Sequence, residues 1–230
     1  MSQDLEQREY VRFAFYKRLP TWAALGEESR LEALQSAETV VARYGEGMMI
    51  RPYSTVGLRA DTDVLLWTAA SGLSDIQAFA RDFERSALGR HLQISHSFLA
   101  MTKRSTYLQQ HRHAGQERLH IRPSQAPYLF VYPFVKTRQW YLLPKEERQR
   151  VMDEHIAVGH KYPGVKINTT YSFGLDDQDF VVAFEASEPA DFLDLVMELR
   201  ETEGSLFTVR DTPIFSCVGK TLPEVVADLG

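Results

Sequence analysis

The segment Gly57-Leu58-Arg59-Ala60-Asp61-Thr62-Asp63-Val64-Leu65-Leu66-Trp67 has a second copy later in the chain, Gly174-Leu175-Asp176-Asp177-Gln178-Asp179-Phe180-Val181-Val182-Ala183-Phe184. In each copy a turn rich in Gly and Asp leads into an apolar strand. A helical pattern follows near residues 73–88 and again near residues 188–203. Because a recurring unit of this kind constrains the architecture strongly, we expect two similar structural units in tandem.

The hydrophobic periodicity around each copy predicts the same order of elements, β-α-β-β-α-β. The first half reads as strand Tyr10 to Leu19, helix Glu27 to Tyr44, hairpin Met48 to Val56 and Val64 to Ala69, a helix, and strand Ile94 to Met101. The second reads as strand Tyr128 to Val135, helix Pro144 to Tyr162, hairpin Val165 to Phe173 and Phe180 to Glu185, a helix from Pro189, and a strand to Val218. This order is that of a ferredoxin-like unit. The predicted fold class is therefore α+β, with two tandem ferredoxin-like units forming a dimeric α+β barrel within one chain.

The composition is that of an ordinary globular protein. The chain has 230 residues, of which 44% are hydrophobic and 25% charged, and its net charge is −5. This acidic balance disfavours nucleic acid as a partner. The N-terminus lacks the pattern of a signal peptide, and no apolar run approaches the length of a membrane span, so we expect a soluble, cytoplasmic protein. We divide the chain into residues 1–120, which include the connecting segment, and residues 121–230.

One histidine lies on the apolar side of the helix predicted after Pro144. Val151, Met152, His155, Val158, Gly159 and Tyr162 share one face at helical spacing. His155 is then either a core histidine bonded to a backbone carbonyl or a metal ligand. A ligating imidazole needs an acceptor for its other nitrogen, and the carboxylates that could serve are those of Glu185, Glu198 and Glu203.

The aromatic strand around Tyr132 is the other candidate for chemistry. Alternation places Tyr128, Phe130, Tyr132 and Phe134 on one side and Val131 and Val135 on the other. A phenol in a pocket can donate a proton or form a radical, whereas an aromatic core with a bonded hydroxyl is the commoner case. Lys136 and Arg138 can extend to solvent or bind carboxylates at a pocket mouth. The single cysteine, Cys217, is predicted to be a small buried hydrophobe.

Several motifs carry a resemblance to a known family. They are Val131-Tyr132-Pro133-Phe134-Val135-Lys136, Trp140-Tyr141-Leu142-Leu143-Pro144, Glu146-Glu147-Arg148, His155, Tyr162-Pro163, Asn168-Thr169, Leu199-Arg200 with Glu203, Thr212-Pro213, and Gly57-Leu58-Arg59 to Trp67. They closely resemble the coproheme decarboxylases of the chlorite dismutase-like family, especially the actinobacterial type. The resemblance covers most of residues 45–220 and is most specific over residues 127–187.

This resemblance implies a haem group in the second half and a ring-shaped homopentamer. His155 would be the proximal iron ligand, with Glu203 favoured as the acceptor behind it. Tyr132 would form the reactive radical, and Lys136 and Trp140 would lie near the propionates. Two further residues are cofactor-binding candidates: Asn168, at the position of the distal arginine of chlorite dismutases, and Arg210, which could bind a propionate or be solvated.

The implied reaction is the decarboxylation of coproheme III, which is both substrate and redox centre, to haem b with hydrogen peroxide as oxidant. A radical on Tyr132 would take hydrogen from the β-carbon of a propionate, and loss of carbon dioxide would leave a vinyl group. The uncharged Asn168 disfavours chlorite conversion. Alternatives are a haem-binding or haem-transfer protein without decarboxylase activity, and a member of the fold that binds no haem.

The resemblance also implies a distal histidine in the segment before the Tyr132 strand. His113 is the favoured candidate, ahead of His111 and His120, since histidine titrates near neutral pH and can deprotonate peroxide. A solvated loop or a separate metal site at His111 and His113 are the alternatives.

Overall fold

The structure is a computed structural model that describes residues 8–105, residue 107 and residues 119–230. His111 and His113 lie outside the described residues. The described strands are β1 Tyr10–Arg18, β2 Met49–Ser54, β3 Val64–Ala70, β4 Leu92–Met101, β5 Tyr128–Lys136, β6 Val165–Tyr171, β7 Phe180–Ala186, β8 Thr208–Arg210 and β9 Phe215–Gly219. The described α-helices are α1 Pro20–Ala23, α2 Glu27–Gly45, α3 Leu73–Arg85, α4 Arg138–Leu142, α5 Lys145–Gly159, α6 Pro189–Glu201 and α7 Leu222–Asp228.

The strands form two four-stranded sheets of the same topology, joined edge to edge. The first has the order β4-β1-β3-β2 and the second β9-β5-β7-β6. Pairing of β2 with β9 and of β4 with β6 closes the eight strands into a barrel, and β8 adds to the outer part of β5. The predicted fold class, two ferredoxin-like units in one α+β barrel, is confirmed.

The predicted elements lie within a few residues of the observed ones. Helix α5 begins at Lys145 with Pro144 as its N-cap residue, and it ends at Gly159 rather than at Tyr162. The short elements α1, α4, α7 and β8 were not predicted, because a segment of three to seven residues is too short to show a clear periodicity.

Apolar side chains pack on both faces of the two sheets. Inside the barrel, both halves contribute to one cluster that includes Phe13, Trp67, Val131, Phe215 and Cys217. Cys217 is a buried free thiol, as predicted. Outside the barrel, the helices cover each sheet with a cluster of its own. The halves therefore share their interior but have separate helix-facing sides.

The repeated turn has the same conformation in both halves. Gly57 and Gly174 both have positive φ, 77° and 73°, a region that glycine enters without steric cost. Strand β3 begins at Val64 and β7 at Phe180, so the second turn is one residue shorter than the first. This shift makes Asp179, and not Phe180, the counterpart of Asp63.

No helix among the described residues is long and apolar enough to cross a membrane.

Candidate functional site

The candidate site lies between helix α5 and the outer face of the second sheet. Pro144 precedes the helix, and Glu146 and Glu147 in its first turn interact favourably with the helix dipole. Val151 and Val158 are buried on the inner side of α5. His155 lies on the same side and is half-buried.

The environment keeps the His155 imidazole neutral. Burial, with a smaller contribution from the positive charge of Lys136, lowers its pKa to about 4. No hydrogen bond to this imidazole is found among residues 8–105, 107 and 119–230. A neutral imidazole has a ring nitrogen with a free lone pair, which is the form that ligates iron.

Aromatic rings line the face of the second sheet that points towards α5. Phe130 stacks on Phe192 of α6 with centroids 4.1 Å apart, and Tyr132 stacks on Phe184 at 5.8 Å. Leu129 and Val131 belong to the barrel interior instead. The predicted alternation of aromatic residues along β5 is therefore confirmed, and it gives the site a flat apolar wall.

Tyr132 keeps its proton in this wall. Its side chain is 7% exposed. Burial and the negative charge of Asp211 raise the pKa of its phenol above the usual 10, while Arg200 opposes that effect. In the described part of the chain, no residue makes a hydrogen bond with the Tyr132 hydroxyl. The phenol is thus a protonated donor without a protein acceptor there.

A cation lies at the edge of the site. Lys136 is the last residue of β5, and its ammonium lies 4.1 Å from the ring centroid of Trp140 and 3.5 Å from the carbonyl oxygen of Gly204. Burial lowers the pKa of Lys136 to about 8, against the opposing charge of Asp179. The lysine is therefore a cation near neutral pH that a bound anion would stabilise.

Helix α4 holds Trp140 in place below this ammonium. Thr137 caps the helix by accepting a hydrogen bond from the backbone N–H of Trp140 at 3.3 Å. The indole is buried and contacts the rings of Phe207 at 5.3 Å and Tyr107 at 6.2 Å. A cation over the face of a tryptophan is a favourable contact.

Arg210 lies close to Lys136 at the rim of the site. Strand β8 pairs with β5 so that Arg210 lies opposite Val135 and Thr208 opposite Lys136. The side chain of Arg210 is exposed. The structure therefore brings four predicted residues to one side of the second sheet: Tyr132, Lys136, Trp140 and His155. Arg210 pairs with Val135, which alternates with Tyr132 and Lys136 along β5, so it lies at the rim without sharing that side.

Asn168 is separated from these four residues. On β6, Val165 and Ile167 pack on the helix-facing side with Phe184, so Asn168 points to the opposite side of the sheet. Its amide donates a 2.9 Å hydrogen bond to the buried carboxylate of Glu185. The sequence pattern alone did not reveal this, because it gives the alternation of a strand but not which side faces the helices.

The carboxylates considered as acceptors for His155 have other partners. Glu203 accepts two 2.8 Å hydrogen bonds from Arg150. Glu198 binds Lys161 and Tyr162, and Glu185 binds Ser124 and Asn168. None of the three is bonded to His155.

His120 lies away from the site. Its imidazole is exposed and lies 3.0 Å from Glu9, beside an open surface groove formed with Met48 and Ala70. His120 is thus the only one of the three distal-base candidates among the described residues, and it lies outside the site.

The sequence analysis missed two residues of the site, Asp179 and Tyr141. Asp179 accepts 2.8 Å hydrogen bonds from the backbone N–H of Lys136 and from the hydroxyl of Tyr141. The available signals were the second turn of the repeat, which contains Asp179, and the Trp140-Tyr141 pair. Neither signal shows that the two side chains meet.

These features fit an iron porphyrin. An imidazole without a described partner faces a flat aromatic wall that includes the Tyr132 phenol, and the Lys136 ammonium lies at its edge, where a propionate would be bound. Among the described residues there is no cluster of three or more His, Cys, Asp or Glu side chains that could hold a metal ion. A porphyrin needs no such cluster, because its own nitrogens supply four iron ligands.

Comparisons with known proteins agree with this assessment. The family model described as Chlorite dismutase matches residues 6–220. The Coproheme decarboxylase of Mycolicibacterium smegmatis is 33% identical over 226 residues, which cover 96% of this chain and 94% of that protein.

Two solved structures show the same fold. Chlorite dismutase from Candidatus Nitrospira defluvii in complex with imidazole has a TM-score of 0.88 at 28% identity, covering 96% of this chain and 95% of that one. A heme-binding protein from Thermus thermophilus has a TM-score of 0.86 at 26% identity, covering 97% of this chain and 95% of that one.

Proposed function

Because this chain belongs to the chlorite dismutase family, we propose that it converts coproheme III to haem b by oxidative decarboxylation with hydrogen peroxide. The single observation that carries the proposal is the arrangement of a neutral His155, without a hydrogen-bond partner among the described residues, facing the Tyr132 wall with Lys136 at its edge. The similarity to the Coproheme decarboxylase of M. smegmatis supports the choice of substrate.

Each residue of the site has a role in this proposal. His155 binds the iron through its free lone pair, and the apolar wall of Phe130, Tyr132 and Phe184 contacts the macrocycle. Lys136 and Trp140 hold one propionate, and Arg210 binds another at the rim. Coproheme, when bound, supplies the iron redox chemistry that peroxide drives as well as the propionates that react.

Tyr132 carries out the step on the propionate. The protonated phenol first loses an electron and a proton, and the resulting radical takes a hydrogen atom from the propionate β-carbon. Loss of a further electron breaks the bond to the carboxylate, so carbon dioxide leaves and a vinyl group remains. Each round removes two electrons and one proton from the propionate and reduces one hydrogen peroxide to two waters. Two rounds give haem b.

The test is incubation of the purified protein with coproheme and peroxide, followed by mass analysis of the porphyrin. We expect two successive losses of the elements of formic acid, that is carbon dioxide and two hydrogens, through a three-propionate intermediate. Tyr132→Phe should retain the Soret band of bound coproheme and reduce product formation to background, because phenylalanine cannot form the radical. Normal turnover by this variant would exclude the proposed step.

The iron ligand is tested separately. His155→Ala should weaken coproheme binding and shift the Soret band, while His160→Ala, at an exposed position near the end of the same helix, should leave both unchanged. An unchanged Soret band in His155→Ala would rule out the assigned ligand.

A second candidate function is haem binding or haem transfer without decarboxylation. The similarity to the heme-binding protein of T. thermophilus favours it. In that case coproheme and haem b would both bind, and peroxide would leave the mass of coproheme unchanged in the presence of the protein. Chlorite conversion is less well supported, since β6 presents Ile167 and Thr169 to the helix-facing side and neither supplies a guanidinium.

We also propose that the chain acts in the cytoplasm and assembles as a homopentamer. The mass of the purified protein in solution, measured by light scattering, tests the assembly against a chain mass of 26.4 kDa.

A further inference from the structure

The repeated turn builds the same backbone frame in both halves. In the first, the backbone N–H of Asp63 donates to the carbonyl of Tyr16 at 2.8 Å, and its carboxylate accepts from the backbone N–H of Arg18 at 2.9 Å. In the second, the backbone N–H of Asp179 donates to the carbonyl of Phe134 at 3.2 Å. The carboxylate of Asp179 accepts from the backbone N–H of Lys136 at 2.8 Å. The two aspartates are therefore structural counterparts.

The two carboxylates differ in their second partner. Asp63 also binds an ammonium, that of Lys17 at 2.8 Å. The counterpart of Lys17 in the second half is Val135, and that of Lys136 is Arg18. Asp179 instead accepts the hydroxyl of Tyr141 at 2.8 Å, on the same oxygen that binds the backbone N–H of Lys136. The ammonium of Lys136 turns away to the face of Trp140.

We infer that Tyr141 and Asp179 form a positioning pair that keeps the ammonium of Lys136 available for a propionate of the substrate. By donating to Asp179, the Tyr141 hydroxyl disperses part of the carboxylate charge, which would otherwise attract the nearby ammonium. This inference rests on the proposed function and adds two residues to its substrate-binding set.

The charges around the pair agree with these roles. Burial and the hydrogen bond to Asp179 raise the pKa of the Tyr141 phenol, so it stays a hydrogen-bond donor. Burial lowers the pKa of Lys136 and the negative charge of Asp179 raises it, which is the direction expected for a carboxylate that attracts the ammonium. The pair thus keeps the lysine charged without binding it directly.

The experiment measures porphyrin binding instead of turnover. Metal-free coproporphyrin III, followed by fluorescence, reports the propionate contacts without any iron bond, and coproheme is followed by its Soret band. Tyr141→Phe should weaken binding of both porphyrins by roughly fivefold to tenfold, because Asp179 is then free to capture Lys136. The double variant Tyr141→Phe with Asp179→Asn should regain affinity to within about twofold of the wild type, because a neutral amide competes poorly for the ammonium.

Two controls separate this effect from a general loss of structure. Asp63→Asn disturbs the equivalent turn in the first half and should leave both affinities unchanged. In a Lys136→Met background, adding Tyr141→Phe should cause no further loss, because no ammonium remains to be captured. Thermal unfolding of each variant without porphyrin monitors folding.

Wild-type affinity in Tyr141→Phe, or a double variant as weak as Tyr141→Phe, would overturn the inference. A wild-type protein that binds neither porphyrin would instead overturn the proposed function. Binding by the wild type with no effect of Tyr141→Phe would leave the proposed function intact and remove only the positioning pair.

Discussion

The helix-facing sides of the two sheets have the same strand order but different contents. On the first side, Ala14 of the sheet and Ala33 and Ala37 of α2 belong to one apolar cluster, to which α7 adds Val225 and Leu229. On the second sheet, the counterpart of Ala14 is Tyr132, and α5 directs His155 towards the sheet. One unit is therefore closed by packing, whereas the other holds groups that a ligand can bind.

This difference shows how a duplicated fold can separate stability from function. The shared barrel interior and the first helix layer supply most of the buried apolar surface. The second helix layer contains buried polar groups that would be costly in a sealed core. The largest effects on stability should therefore come from the first half and the largest effects on porphyrin binding from the second.

The first and largest predicted effect is a loss of stability caused by a substitution in the first half. Ala14→Tyr places the side chain of Tyr132 at its counterpart position, where Ala14 is 2% exposed within a closed apolar cluster and a larger side chain would overpack it. We expect a loss of about 3 kcal/mol or more in the free energy of unfolding, measured by urea denaturation. The matched exchange Tyr132→Phe should cost less than about 1 kcal/mol, since it removes only a hydroxyl without a described partner. Equal losses in the two variants would contradict the comparison.

The second prediction concerns the barrel interior, where Glu185 is the counterpart of Ala69. Glu185 is 1% exposed and accepts hydrogen bonds from the backbone N–H and hydroxyl of Ser124, at 2.5 and 2.9 Å, and from Asn168. Glu185→Ala leaves these donors unsatisfied, so we expect a loss of roughly 2–3 kcal/mol. In the wild type the carboxylate protects the backbone amide of Ser124, so hydrogen exchange at this amide should become faster in Glu185→Ala.

Ser124→Ala is the control for this prediction. It removes one hydroxyl but retains the backbone hydrogen bond, so the loss should be about 1 kcal/mol. If Glu185→Ala cost no more than Ser124→Ala, the carboxylate would not be what holds the segment after Leu119 to the second sheet.

The third and smallest predicted effect is a pH dependence of stability that arises in the second half. The pKa of His155 is lowered from 6.5 to about 4 in the folded protein. Between these values the unfolded chain binds a proton that the folded protein does not, so stability should fall as the pH is lowered from about 6.5 to 4. Because the ring is only half-buried, we expect a total of roughly 1–2 kcal/mol.

Urea denaturation of the porphyrin-free protein at several pH values measures this dependence. His155→Gln should remove that part of the slope, and His160→Gln should retain it. A slope that is the same in wild type and His155→Gln would show that the low pKa does not arise at His155.

Much of the fold could be predicted from the sequence because the repeat and the hydrophobic periodicity are local signals. Gly57 and Gly174 mark the two turns, and the apolar runs from Val64 and Phe180 mark the strands that follow. The alternation along β5 also separated Tyr132 from Val131 correctly. Short elements such as α4 escaped prediction because one helical turn has no measurable period.

The site was less predictable because its parts depend on contacts between distant segments. Periodicity placed His155 on an inner helix face, and the family resemblance drew attention to Lys136 and Trp140. The resemblance also selected Asn168, which the strand register directs to the other side of the sheet. The role of Glu203 stays a prediction, since in this structure its carboxylate binds Arg150.

The sequence by itself determined two β-α-β-β-α-β units and the inward position of His155, because turn residues and alternation act over a few neighbours in the chain. Only the tertiary structure decided which side of each strand meets the helices and which of the two aspartates binds an ammonium. Those outcomes depend on packing and charge between residues such as Asp179 and Tyr141, which lie far apart in the chain and are brought together only when the barrel closes.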